Sequence, residues 1–588
     1  MYTRSSHDFR LGAAVLLTAL ALTAGGNLVV AQAPPETKWP LSAVPQLQSN
    51  PGAARTIYLN FANEGVNAAL GGRAYTIDQD RNTFTDTELA DINFVWKGVA
   101  EKYSPWNVNV VTYAAPSGGG SWPNRMTMNI GDTSYRYQGP GMWRGLSGNP
   151  ASIWPETLPL DMRFLSVASI VAHEAGHNYG LGHQEQYTAS GQRFVIGGSS
   201  YLPGNNNIGP IMGHGFEPWS ERSLWWNNNL NNQANSARDL DRLAYLGYRT
   251  DDYGDMPATA TPFTVNGNAL SQAGMITKTT DADYLSFTTT AAGPVTFRGD
   301  VAFPTPMLNL KLELQNSSGA VIATADTPSL GETLSVSNLA AGAYYLAVKS
   351  HGGYGDIGQY TVKGRLGSTP AVAKPTSLSA TRVEDTVVRL NWSDNTSEET
   401  DYIVERSNQG GPWRMIEMLG ANTMEYYDRR AAGGVHYTYR VRAASDVLLS
   451  DYTNVAGADT PALADLAQPT SFRAVYNALT HIVDLSWSDN ATRDWGYLVE
   501  RKVGDEPWEL LKYLYLYDNT SYQDTWPVDG VALYRVRALN DLGYSSPSAE
   551  VAVPEPGSLV LLVAAGLPVL AYCRRHLKHG WLLSLGGH

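Results

Sequence analysis

His173, Glu174, His177 and His183 are where this chain concentrates side chains that can do chemistry. They fall in the run Val171-Ala172-His173-Glu174-Ala175-Gly176-His177-Asn178-Tyr179-Gly180-Leu181-Gly182-His183. On a helix, residues four apart stand one turn apart on one face, so the imidazoles of His173 and His177 can reach a common metal ion. Gly180 takes a left-handed conformation without a Cβ penalty, which lets the helix stop and the chain turn back. That return carries His183 to the same ion. Three imidazole nitrogens leave a fourth tetrahedral position open, the pattern of a catalytic rather than a structural metal site. Glu174, beside His173, is placed to take and return a proton there. Of the 11 histidines, only His173, His177, His183 and His214 lie between residues 34 and 250, and three of these four fall on the spacing. Histidines scattered through a core would not cluster in this way.

The elements that must hold these residues are also legible. Phe164, Val167, Ile170 and Val171 follow helical spacing in the apolar run before His173, which predicts a helix buried on most sides. Thr56-Ile57-Tyr58-Leu59-Asn60-Phe61 alternates like a strand, and Trp106 to Val111 reads as another. Thr85-Asp86-Thr87-Glu88 is a capping box. It opens a predicted helix with Leu89, Ile92, Val95, Trp96, Val99 and Tyr103 on one face.

The full spacing H-E-x-x-H-x-x-G-x-x-H, followed by Met212 in Pro210-Ile211-Met212-Gly213, resembles the metzincin zinc peptidases. Tyr58-Leu59-Asn60-Phe61 and Tyr103-Ser104-Pro105-Trp106-Asn107-Val108-Asn109-Val110 are similar to scaffold segments of a bacterial group of such enzymes. The resemblance implies zinc on His173, His177 and His183, with Glu174 as general base and acid. Zinc lowers the pKa of a bound water from ~15.7 to ~7. Met212 would lie beneath the site as a hydrophobic base, not as a ligand. His214 stands where some members carry a tyrosine that approaches the metal, and it is a further candidate for contact with zinc or substrate. No cysteine precedes the motif, so latency through a cysteine ligand is excluded. Residues 34–50 are a candidate cover for the cleft.

The 588 residues exceed what one core can organise. The net charge of -13, with no basic run in the mature part, excludes nucleic acid as the main partner. Residues 1–33 read as an export signal: Arg4 and Arg10, an apolar core from Leu11 to Ala24, and Ala31-Gln32-Ala33 as a cleavage site. The single cysteine, Cys573, leaves no intramolecular disulfide, so the exported domains rely on their cores and bound metal. Residues 553–588 hold Val553-Pro554-Glu555-Pro556, an apolar stretch from Gly557 to Tyr572, and Cys573-Arg574-Arg575. This resembles the PEP-CTERM sorting signal, which implies transient membrane anchoring, a cytoplasmic basic end and a membrane sorting enzyme as partner. The tail from Lys578 to His588 is longer than that pattern needs.

Three further modules separate the two signals. Residues 251–366, with Asp251-Asp252-Tyr253-Gly254-Asp255, Asp281-Ala282-Asp283-Tyr284 and alternating strands, resemble the bacterial pre-peptidase C-terminal β-sandwich. Their aspartates are either oxygen ligands suited to calcium or solvated turns. A direct repeat follows: Trp392 recurs as Trp487, Arg406 as Arg501 and Tyr439 as Tyr534, 95 residues apart each time. Residues 370–460 and 466–552 resemble fibronectin type III domains, each with its own tryptophan core. They are expected to act as separate spacer or adhesive modules, dispensable for chemistry on short peptides and contacting envelope or matrix components.

The expected architecture is multidomain: an α+β metzincin-like catalytic domain over residues 50–250, then three β-sandwich modules. The expected function is that of an exported zinc endopeptidase of the envelope or extracellular space, acting on protein or peptide substrates. The rival reading is an inactive protease-like surface adhesin. All the motif residues are present, whereas degenerate heads usually lose the glutamate or a ligand.

Overall fold

The computed structural model describes residues 32–553 except 63–73, 79, 114–123, 132–144, 147–150, 154, 156–159, 185–207, 214–221 and 227–237. Beyond residue 400 it also omits 409, 465, 478, 481, 492–493, 495, 505, 507, 515–519, 526–530 and 541. The export signal up to residue 31, His214, the Pro554-Glu555-Pro556 segment and all that follows lie outside the described residues. Among those described, no helix is long and apolar enough to cross a membrane.

The head is a five-stranded sheet covered by two helices. Strands β1 (Arg55–Asn60), β2 (Val108–Val111), β3 (Arg125–Ile130), β4 (Gly145–Leu146) and β5 (Ala151–Ile153) lie in the order β2-β1-β3-β5-β4. All neighbours are parallel except β4 and β5. Parallel strands buried by helices read as apolar runs, and Ile57, Leu59, Val108, Val110, Met126, Met128 and Ile130 are all buried. Trp106 lies outside β2 and instead bridges to Tyr248.

Helix α1 (Asp86–Tyr103) begins at the capping box. The Glu88 amide donates to Thr85 Oγ1 (3.1 Å), and the Thr85 amide donates to Glu88 Oε2 (2.8 Å). Helix α2 (Arg163–Asn178) carries the histidine pair and packs on α1, where Tyr103 Oη donates to the Ala172 carbonyl (2.8 Å). Residues 34–50 do not meet the histidines. They run along α1 and the edge of the sheet, with Trp39 Nε1 donating to Asp86 (2.7 Å) and the Ser49 amide donating to the Val110 carbonyl (3.1 Å). The expectation that they cover the cleft is therefore corrected: their polar groups are committed elsewhere.

Residues beyond 260 form a sandwich of two five-stranded sheets, with Phe263, Phe287, Phe297 and Tyr344 packed at its centre. Each repeat then pairs a three-stranded sheet with a larger one. Thr376–Glu384, Val387–Ser393 and Glu425–Asp428 form the first in repeat one, facing a four-stranded sheet built on Asp401–Asn408 and His436–Ala444. Repeat two has the same pairings, and its last strand, Val551–Val553, pairs with Ala532–Tyr534. Val553 is buried there, so it belongs to the sandwich and not to the sorting signal.

The head, the 251–366 sandwich and repeat one share one continuous apolar core, which Leu498, Leu539 and Tyr544 of repeat two also join, whereas the rest of repeat two packs around its own core of Trp487, Val499 and Tyr534. Lys102, fully buried on α1, donates to the carbonyls of Ser223 (2.8 Å) and Thr305 (2.7 Å). Glu101 accepts from the amides of Met307 (3.3 Å) and Gln359 (3.2 Å). These contacts join the head to the first sandwich. The expectation that both repeats are separate modules fails for repeat one, because buried arginines anchor it to α1 and to the start of α2.

Candidate metal centre

Helix α2 is buried along most of its length, as its apolar run predicts, and it delivers His173 and His177 from successive turns. It stops at Gly180, whose φ of +86° is left-handed. The Gly180 amide donates to the His177 carbonyl (2.9 Å) and the Leu181 amide to the Gly176 carbonyl (3.0 Å), satisfying the helix end. The chain turns back and places His183 against the pair.

The three Nε2 atoms converge. His177 Nε2 lies 3.0 Å from His173 Nε2 and 2.9 Å from His183 Nε2. His173 Nδ1 donates to the Ile211 carbonyl (2.8 Å), and His177 Nδ1 donates to the Leu181 carbonyl (2.9 Å). A carbonyl can only accept, so both Nδ1 atoms carry a proton, and in the neutral rings that bind a metal Nε2 carries the lone pair. Facing lone pairs repel unless a cation lies between them. Tetrahedral zinc with Zn–N of ~2.0–2.1 Å needs nitrogens roughly 3.3 Å apart, so the rings need open only a few tenths of an ångström. The donor set thus fits a zinc ion. The backbone carbonyls that fix both tautomers are the outer partners such a site needs.

Met212 lies under this cluster and is fully buried. A Cβ on Gly176 would sit 2.6 Å from Met212 Sδ, so only glycine at 176 lets the thioether pack against the helix between the two histidines. The turn is tied to the third histidine's segment by the Gln184 amide, which donates to the Met212 carbonyl (2.8 Å). Gln184 Nε2 donates to Asp239 (2.9 Å), a buried carboxyl pushed up to about 7 by desolvation. Glu174 is half-buried, and burial raises its carboxyl to about 7 as well.

Sequence reading named all three histidines, Glu174 and Met212. It missed Ile211 and Leu181, which act through backbone carbonyls that no side-chain type marks, and Asp239, which sits 55 positions from its partner.

A second cluster lies where the head leads into the first sandwich. Carboxylate oxygens of Asp251, Asp255 and Asp281 gather within 4.8 Å of one another, as do those of Asp251, Asp252 and Asp283. Asp281 Oδ2 accepts from Thr277, and Asp283 Oδ2 accepts from Tyr360 Oη (2.7 Å). Oδ1 of each is buried with no hydrogen-bond partner. Desolvation, then the neighbouring carboxylates, push Asp283 up to about 9. Desolvation also raises Asp252 to about 6. Oxygens left bare among other carboxylates fit a hard divalent cation.

No family model matches the chain. Solved structures that resemble part of it are fibronectin type III modules. A two-domain segment of chicken tenascin is 14% identical over 31% of this chain and 99% of that one, with a TM-score of 0.16. Three domains of chicken CNTN1 are 16% identical over 31% of this chain and 67% of that one, with a TM-score of 0.16. An Fn3-like protein from Clostridium thermocellum is 30% identical over 16% of this chain and 98% of that one, with a TM-score of 0.14. Among the described residues, 48% lie in strands and 12% in helices, and most of the strands form β-sandwiches.

Proposed function

We propose that this chain is an exported zinc endopeptidase of the metzincin type. The observation that carries the reading is the convergence of three histidine Nε2 atoms, with Nδ1 of His173 and of His177 held by backbone carbonyls. His173, His177 and His183 would hold the zinc, which when bound polarises a scissile carbonyl and acidifies water. Glu174 takes the proton of the attacking water and returns it to the leaving amine. Met212 and Gly176 hold the floor beneath the histidines. The substrate is a protein or peptide of the envelope or extracellular space, reached after export. The segment from Pro554 would hold the chain at the membrane until a sorting enzyme processes it. Repeat two would meet envelope or matrix components. The Asp251–Asp283 cluster would take calcium, supported by the two orphaned buried oxygens.

Glu174→Ala leaves every proposed ligand in place and removes the proton carrier. It should keep its zinc and lose hydrolysis of a peptide library by ~10² to 10⁴-fold. Hydrolysis at the parent's rate would sink the assignment.

A further inference from the structure

Repeat one is inserted into the head at the two helices that build the metal centre. The Arg430 guanidinium enters the groove between α1 and α2, 5.4 Å from the Phe94 ring centre and 5.3 Å from that of Phe164. Its Nε donates to Asp91 Oδ1 on α1 (2.6 Å), and both side chains are almost wholly buried. A second contact holds the turn Leu160–Met162 that opens α2. There Asp161 Oδ2 accepts from Asn408 Nδ2 (3.1 Å) and Tyr437 Oη (3.1 Å), and Arg406 donates to the Asp161 carbonyl. Buried charges persist only when paired, so these groups require the repeat to be seated.

The repeat two equivalents show that this is an added feature. Arg406 pairs with Asp428 (2.6 Å) as Arg501 pairs with Asp524 (2.8 Å). Nη2 of Arg501 meets Glu509, whose side chain is 62% exposed. At the 95-residue offset, Asn408 and Tyr437 become Val503 and Ala532. Aligned on the equivalent aspartates Asp428 and Asp524, one position further on, the run Asp428-Arg429-Arg430 becomes Asp524-Thr525-Trp526.

Position along α2 explains the consequence. His173 lies ten residues from Arg163, ~15 Å at 1.5 Å per residue, so a tilt of ~4° at the first turn moves its ring by ~1 Å. Metal–ligand distances tolerate only ~0.2 Å. We propose that repeat one is a positioning part of the peptidase: Arg430, Arg406, Asn408 and Tyr437 fix the start of α2 and with it the register of His173 and His177 against His183. This rests on the zinc reading above.

The test uses the full chain with Arg430→Met, Tyr437→Phe, Asp161→Asn, the Tyr437→Phe/Asp161→Asn double variant, and Tyr534→Phe as the matched loss of a buried hydroxyl in repeat two. Hydrogen exchange over residues 160–178 is read in metal-free protein, and the rate of zinc release to a chelator in loaded protein. Exchange should quicken, and zinc should leave roughly tenfold faster in Arg430→Met and about threefold faster in Tyr437→Phe, with the double no worse than the larger single. Tyr534→Phe should change neither. Unaltered exchange and release in folded Arg430→Met, or equal effects from Tyr534→Phe, would overturn the proposal. If Arg430→Met does not fold, Tyr437→Phe decides. A parent that binds no zinc would refute the zinc reading, while the exchange measurement would still decide whether repeat one holds α2.

Discussion

The two repeats share an internal design and differ in what they do with it. In each, a tyrosine hydroxyl and an arginine converge on one buried aspartate: Tyr439 and Arg406 on Asp428, Tyr534 and Arg501 on Asp524. In each, an arginine also lies over a tryptophan, Arg440 on Trp413 and Arg535 on Trp508. These features close the sandwich and belong to the fold. Repeat one adds Arg430, Asn408 and Tyr437, all of which face the head. Repeat two meets repeat one through backbone pairing at Gly433 and Gly543 and through a few side chains such as Tyr544. A fold is therefore reused with little change, and a handful of surface positions decide whether a copy is built into the head or hangs from it.

The largest expected effect comes from deletion. A chain ending at residue 463 should stay folded and keep its zinc and peptidase activity. A chain lacking residues 370–460 uncovers Asp91, Asp161, Phe94 and Phe164, and should be insoluble or lose its zinc. Removing one partner of a buried pair costs about 3–5 kcal/mol; the Arg430–Asp91 pair is broken, and Asp161 loses its hydrogen bonds to Asn408 and Tyr437 as well. Soluble, zinc-loaded protein from the second deletion would end the distinction.

Calorimetry sharpens it. The head, first sandwich and repeat one should melt together, with repeat two in a separate transition. Asp283 and Asp252 have folded-state values raised above the ordinary carboxylate value near 4. The folded state thus binds more protons than the unfolded one, and stability falls as pH rises through about 6 and on to about 9. Without calcium, the larger transition should drop by on the order of 5 °C between pH 6 and 9. Calcium should restore it, and the repeat two transition should not respond. A calcium response confined to repeat two would contradict the assignment.

The sequence made the centre legible because its chemistry is local. His173 to His183 spans eleven residues, and the capping box at Thr85 and Glu88 spans four. The repeats were legible because their cores recur at a fixed offset. The docking was not, since Arg430 and Asp91 lie 339 positions apart and each alone reads as a surface charge. The parallel order of the head sheet was equally hidden, because the pairing partners of β1, Val108–Val111 and Arg125–Ile130, lie about 50 and 70 positions away and no local pattern marks them. For Asp281 and Asp283 the sequence left calcium ligands and solvated turns both open, because which oxygens are orphaned depends on the strands around them.

Zinc content tests the central claim most directly. Purified full chain, loaded with zinc and dialysed, should retain one zinc at the histidine centre by elemental analysis, and His183→Ala should lose most of it, because one of three protein ligands is gone. Full retention of that zinc in His183→Ala, or a folded parent that takes up none, would contradict the account.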